Sequence, residues 1–264
     1  MTDDTGEQLS ESPEDILSRL SPEAAAEITI IGGQALSVWG DQYLLEELTG
    51  EEYIHLASDD LDLLGKRHAI ELCAQAWGGQ AEFPAPDDHS PNSGVVMIRS
   101  ATGDSLAIDF LDAVYGLKNQ EVLKYADVLP IGDLLIPILS PPLCLKSRIN
   151  NLVGLGYSPE KEVREVVRIR LAASATRMYI LDYLNQGNTK GALKIANYLI
   201  RKVFLTKEAR TAYRRFGAEF LHALPARYGK WPPDTAKLEF PKRLIQVRQY
   251  LGIAKDDETR VPGC

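Results

Sequence analysis

The sequence predicts an α+β fold, a mixed-sheet domain in the N-terminal half followed by an all-helical domain in the C-terminal half. Three observations carry that expectation. Short β-branched or alternating apolar runs (EITII, DLDLL, GVVMIRS, SLAIDFLDAV) all lie before residue 115 and are interleaved with helical patterns. Beyond the proline-punctuated stretch ADVLPIGDLLIPILSPPLCLK, apolar residues recur every three or four positions almost to the end. Charge divides at the same place. Residues 1–139 carry 6 Lys+Arg against 26 Asp+Glu, and residues 140–264 carry 23 against 11. The expected organisation is a disordered acidic tail over 1–12, a sheet domain over 13–139 and a basic helical domain over 140–264.

Each element has a local reason. Ser12-Pro13-Glu14-Asp15 reads as an N-cap, a proline at the first helical position and acids in the first turn, so a helix runs from there to about Leu20. A second starts at Ser21-Pro22. EITII is a strand ending in the tight turn Gly32-Gly33, and QALSVWGDQYLLEEL has helical periodicity. A loop containing Gly50 leads to a strand over Asp60–Leu64. KRHAIELCAQAWGG is a helix closed by glycines. QAEFP, GVVMIRS and SLAIDFLDAV are extended, and Thr102-Gly103-Asp104 is a hairpin signal between the last two. The proline-rich stretch reads as a docking segment or boundary. Glu160–Leu184 is a long helix, Asn188 caps TKGALKIANYLIRKVFL, KEARTAYRRFGAEFLHAL is a third helix, and PKRLIQVRQYLG a shorter fourth. There is no internal repeat.

Composition excludes several classes. Apolar residues make up 45% and charged residues 25%, a balance that buries a core rather than leaving the chain disordered. No apolar run approaches the roughly 20 residues of a membrane span. The polar, acidic start MTDDTGEQLSESPED reads as neither a secretory signal nor a transit peptide, so a cytoplasmic setting is expected. Cys73, Cys144 and Cys264 are odd in number and far apart, which suggests neither a disulfide framework nor a zinc site. His55, His68, His89 and His222 have no ligand spacing, and Ser37 and Ser58 lack a partnered histidine. Trp39 and Trp77 read as core.

Chemistry concentrates in the acidic half. Gly32-Gly33 follows a strand and precedes a helix, where bare backbone and exposed N–H groups favour a phosphate. On a strand over Asp60–Leu64, Asp60 and Asp62 share one face, with Leu61 and Leu63 facing the core behind them. Asp109 sits between apolar residues in a second strand, and Asp112 is offset to the opposite face. Each feature has an ordinary reading alone: a tight turn, solvated strand-end acids, a hairpin residue. Taken in this order, they favour a site where three carboxylates repel one another unless a cation sits among them. Oxygen ligands of this kind suit Mg²⁺.

These residues carry a resemblance. Gly-Gly after a strand, then Asp-x-Asp, then a lone Asp in a later strand resembles the pattern of the polymerase-β-like nucleotidyltransferase superfamily. The stretches IGGQALSVWGDQY, SDDLDLLG, IDFLDAVYGL and LSPPLCLKSRINNL look more closely like the AbiEii/AbiGii-type toxin nucleotidyltransferases, over roughly residues 28–170. The resemblance implies a nucleotidyltransferase-like N-terminal domain and a toxin of an abortive-infection or toxin–antitoxin system. In it, Gly32 and Gly33 would hold the triphosphate, Ser58 would match the residue preceding Asp-x-Asp, and Asp60, Asp62 and Asp109 would be catalytic metal ligands. Lys146, assisted by Arg148, would neutralise the nucleotide phosphates. Two Mg²⁺ ions, an NTP, an RNA (tRNA-like) or protein acceptor and an antitoxin are the cofactors and partners it implies. Two departures stand out: 26 residues separate Gly33 from Asp60, and where the toxins often carry a further aspartate this chain has Glu162 and Glu165.

The basic half has two readings. Lys190, Lys194, Arg201, Lys202, Lys207, Arg210, Arg214 and Arg215, with Tyr198 and Tyr213 interleaved, form either a belt that tracks RNA phosphates or an ordinary helix exterior. The alternative to an enzyme is a non-catalytic module of the same fold that binds an NTP or a partner.

Overall fold

A computed structural model describes residues 12–46, 48–56, 58, 60–85, 87, 92–100, 103 and 105–253. Residues 1–11 of the expected tail, Asp59, His89, Thr102, Asp104 and Cys264 lie outside the described residues. The fold is α+β, as the sequence predicts. The chain divides into two compact units, residues 1–38 with 57–143, and residues 39–56 with 144–264.

The first unit holds a seven-stranded mixed sheet, in the order β3-β4-β5-β2-β1-β7-β6. It opens with helices α1 (Pro13–Ser18) and α2 (Pro22–Ala26), capped by the hydroxyls of Ser12 and Ser21, each with proline at its start. Strand β1 (Thr29–Ile30) runs into α3 (Gly32–Tyr43). Helix α4 (Gly50–Leu56) precedes β2 (Asp62–Leu64), and α5 (Arg67–Trp77) follows, ending at Gly78 with φ +64°. Strands β3 (Gln80–Glu82), β4 (Asn92–Arg99) and β5 (Ser105–Leu111) are antiparallel neighbours, and β2 and β5 run parallel. Then come α6 (Asn119–Tyr125) and the antiparallel pair β6 (Asp127–Ile131) and β7 (Leu134–Ile138), with β7 parallel to β1. Helix α5 covers one face through Ile70, Cys73 and Trp77. The Trp77 indole N–H donates to the Ile16 carbonyl at 2.9 Å, and its ring lies 6.3 Å from that of Phe110.

The second unit contains most of α7 (Pro141–Gly154), α8 (Pro159–Asn185), α9 (Thr189–Tyr198), a π-helical continuation over 199–204, α10 (Lys207–Phe216) and α11 (Phe240–Leu251). Asn188 caps α9 by accepting from Gly191 N, as its sequence position predicts. Residues 39–56 belong to this unit. Trp39 is buried edge-to-face on Tyr179, the Glu52 carboxylate meets Arg170 at 2.6 Å, and Arg168 donates to the His55 carbonyl. Among the described residues no helix is long and apolar enough to cross a membrane.

Several expectations are corrected. The loop around Gly50 is α4, started by a reciprocal box in which Glu52 N–H donates to the Thr49 hydroxyl and Thr49 N–H to the Glu52 carboxylate. The proline-punctuated stretch, read as a docking segment or boundary, holds the β6–β7 hairpin, turning at Gly132 (φ +56°), with Pro130 on the edge strand where a missing N–H is tolerated, and the division between the two units falls near its end, after Leu143. KEARTAYRRFGAEFLHAL is not one helix, because Gly217 takes the left-handed conformation (φ +68°) and ends α10. Strand β2 begins at Asp62, so Asp60 lies in a bend before it rather than on it.

Candidate active site

Parallel pairing of β2 and β5 sets Asp62 directly beside Asp109, Leu63 beside Phe110 and Leu64 beside Leu111. Alternation sends Leu61, Leu63 and Phe110 into the core, each 4% exposed or less, and leaves the two half-buried carboxylates on the opposite face. The sequence argument for the facing of Leu61 and Leu63 therefore holds, although Asp60 stands off the strand.

Asp62 reaches the first turn of α3. Ile31 N–H donates to the Asp62 carbonyl at 3.1 Å, fixing the end of β1 to β2. Gly32 has φ +64°, and a Cβ there would overlap Asp62 Oδ2 and lie 3.1 Å from Asp62 Cγ. Two constraints thus demand glycine: the left-handed backbone and the carboxylate against it. A carboxylate beside a helix start is favoured by the helix dipole. Gly32→Ala is expected to cost at least about 1–2 kcal/mol from the backbone alone, measured by urea denaturation; an unchanged midpoint would contradict this packing. Gly33 is buried in the same turn.

Asp109 is shaped by its neighbours. A bulge between β4 and β5 shifts register at Asn92/Gly94, leaving Ser93 as the extra residue. Asn92 Nδ2 donates to Asp109 Oδ1 at 3.1 Å, and the Ser93 hydroxyl lies 2.7 Å from the Gly65 carbonyl and 3.0 Å from that of Phe110. Burial, and then the negative charge of Asp60, hold the Asp109 carboxyl above the ordinary carboxylate range. Asp60 is exposed, and its carbonyl accepts from the Ser58 hydroxyl at 3.2 Å. Sequence reasoning did not find Asn92 or Ser93. Only the spacing of a bulge marks them, and their partner lies 17 residues away.

Among the described residues no three His, Cys, Asp or Glu side chains are gathered as a ready metal-binding group. The expected trio of carboxylates is therefore not an assembled cage. The structure instead brings Asp62 and Asp109 together, with Asp60 close enough for its charge to act on Asp109. The donors present are the carboxylate oxygens of Asp62 and Asp109, which fit a hard ion such as Mg²⁺, one that completes its shell from water and substrate phosphates.

The two cations expected on the phosphates, Lys146 and Arg148, belong to the helical unit, where each has its own surroundings. Lys146 is half-buried, with its ammonium 5.9 Å from the Tyr198 ring centre. Arg148 is buried and donates to Glu165 Oε1 at 3.0 Å, and Arg168 shares that oxygen at 3.4 Å. Glu162 is half-buried one turn before Glu165 on α8. Burial pushes the thiols of Cys73 and Cys144 up to about 12, so neither is a nucleophile near neutral pH.

No protein-family model matches the chain, and no curated protein matches it. Among solved structures it is similar to a crystal structure described as an antigenic nucleotidyltransferase-like protein from Paracoccidioides brasiliensis. The two are 14% identical, and the match covers 70% of this chain and 94% of the other with a TM-score of 0.40. A score at that level leaves function to this chain's own residues.

Proposed function

We propose that the chain is a Mg²⁺-dependent nucleotidyltransferase that moves an NMP from an NTP to an RNA or protein acceptor. The observation that carries this reading is the in-register pair Asp62–Asp109, set against the glycine start of α3. Two adjacent, half-desolvated carboxylates repel each other, and a fold that gains nothing from them has no reason to hold them there.

Asp62 and Asp109 would hold the ion, with Asp60 adding negative charge from the bend. A Mg²⁺ ion held there would supply charge neutralisation for phosphoryl transfer. The first turn of α3 offers backbone N–H groups to phosphate oxygens. Asn92 orients the Asp109 carboxylate by donating to one of its oxygens. In-line attack of an acceptor hydroxyl on the α-phosphorus would form the new P–O bond, break the bond to the β-phosphate bridge and release pyrophosphate, with the hydroxyl proton leaving to water. Lys146 is the cation proposed for the triphosphate. Arg148 is proposed only as a positioning residue, since its guanidinium is engaged by Glu165.

The eight basic residues of α9, its continuation and α10 are all exposed, which suits an RNA acceptor. The toxin role, with a protein antitoxin as partner, extends the resemblance of the Gly-Gly, Asp-x-Asp and LSPPLCLKSRINNL stretches. The second reading is a non-catalytic module of the same fold that binds an NTP or a partner.

Label transfer tests the proposal. The purified chain is incubated with Mg²⁺, each α-labelled NTP in turn and total cellular RNA, beside an Asp60→Ala/Asp62→Ala control. Label on RNA or on the protein, lost in the control, establishes the enzyme and names its acceptor class. Metal-dependent NTP binding without label transfer supports the module instead. No NTP binding at all refutes the reading of these aspartates.

A further inference from the structure

The helical unit contains a cavity of about 560 Å³, in the size range of a small-molecule site. Its walls come from α8, the turn over 221–228 and α11. Apolar walls are formed by Leu221, Leu224 and Leu244 with two prolines, and Tyr228 stands beside them with its hydroxyl donating to Asn185 at 2.7 Å.

The polar lining has one sign. Arg177, Arg227 and Arg248 line the cavity, and among the described residues no acid does. Arg177 and Arg248 are half-buried, and among the described residues neither side chain makes an ion pair or a hydrogen bond. Half-buried guanidinium groups without a counter-ion are costly and persist where they meet an anion. His222 reports the same field. Its Nε2 lies 3.2 Å from the Ser174 hydroxyl, and burial, then the charges of Arg177 and Arg170, hold its imidazole below the ordinary range. The histidine is thus a neutral, flat wall rather than a further cation near neutral pH.

We infer that this cavity binds a phosphorylated nucleoside, either free or as the end of an RNA strand, with Arg177 and Arg248 on the phosphate and the base against Tyr228, His222 and the leucines. Guanidinium forks match phosphate oxygens in pairs. A base accepts flat imidazole, phenol and aliphatic surface together, whereas a free inorganic anion has no use for the apolar walls. The site needs no metal and uses none of the aspartates, so it goes beyond the catalytic proposal and stands independently of it.

The test is titration calorimetry on the full chain in EDTA, with AMP, UMP, adenosine, inorganic phosphate, octanoate and a short 5′-phosphorylated RNA. AMP or UMP is expected to bind, phosphate more weakly, and adenosine not measurably. Arg177→Gln and Arg248→Gln, made separately and checked for native circular dichroism, are each expected to weaken nucleotide binding roughly tenfold or more. Arg248→Lys should recover part of the loss, and Lys66→Gln, an exposed cation of the first unit, should change nothing. RNA binding more tightly than AMP through the same arginines makes the strand end the ligand, while equal affinity makes it a free nucleotide. The inference is overturned if no nucleotide binds, if both arginine substitutions leave binding intact, if adenosine matches AMP, or if octanoate outbinds the nucleotides. Binding here without label transfer removes only the catalytic proposal, and transfer without binding here removes only this one.

Discussion

Asp109→Asn is expected to lower nucleotide transfer by about 10³-fold or more and at the same time to raise the melting temperature of the metal-free chain by a few degrees. The two effects share one cause. Asp109 sits beside Asp62 on adjacent strands, half-buried and within the field of Asp60. Burial and that field hold its folded pKa above the ordinary value, so the folded chain binds the Asp109 proton more tightly than the unfolded chain does. Stability from this group is therefore present at acid pH and is lost as pH rises through the folded pKa. Near neutral pH the charged carboxylate is held at a cost, which the uncharged amide removes while keeping the Asn92 contact in reach. Thermal melts in EDTA at neutral and mildly acid pH, with transfer assays in Mg²⁺, check both halves. Wild-type turnover from the Asn variant would end the catalytic assignment, and a lower melting temperature would show that Asp109 is anchored structurally rather than strained electrostatically.

Glu165→Gln is expected to give the largest loss of stability, about 3–5 kcal/mol, because breaking a buried ion pair leaves charge uncompensated. Glu165 is 4% exposed and Arg148 6%, and Arg148 and Arg168 converge on one carboxylate oxygen at 3.0 and 3.4 Å. The other oxygen has no hydrogen-bond partner among the described residues. Burial, with Arg148 and Arg164 nearby, brings the Arg168 pKa down to about 10, which still leaves it charged. Without the Glu165 charge, the buried Arg148 guanidinium and the half-buried one of Arg168 face each other across an amide. Urea titration reads the loss. A combined Arg148→Met, Glu165→Leu, Arg168→Met variant should recover most of it, since apolar replacement of a whole buried cluster is close to neutral. The same Glu165→Gln protein, assayed well below its midpoint, also separates two roles. Unchanged transfer per folded molecule makes Glu165 a structural counter-ion, and a lost rate at full folding makes it the further catalytic acid that the sequence left open.

What the sequence determined by itself is local. Apolar alternation placed β4 and β5, helical periodicity placed α8, closing glycines placed α5 and the Asn188 cap placed α9. Leu61 and Leu63 were assigned to the core because a strand alternates its faces. The order Gly-Gly, Asp-x-Asp, Asp marked the candidate site. Some local signals were present and went unread, such as the Thr49–Glu52 box that starts α4 and the Gly132 turn inside a proline-rich stretch. What only the tertiary structure decided depends on partners distant in the chain. No spacing rule sets Asp62 beside Asp109, because the register of parallel strands belongs to the pair rather than to either strand alone. The contact of Asn92 with Asp109 requires a bulge. Residues 39–56 join the helical unit through Trp39, Glu52 and His55, whose partners lie more than a hundred residues on. The resemblance set Arg148 to assist on the nucleotide phosphates and left Glu165 where the toxins often carry a further acid. The fold buries them against each other, because a charge that loses water must find its opposite within hydrogen-bonding reach.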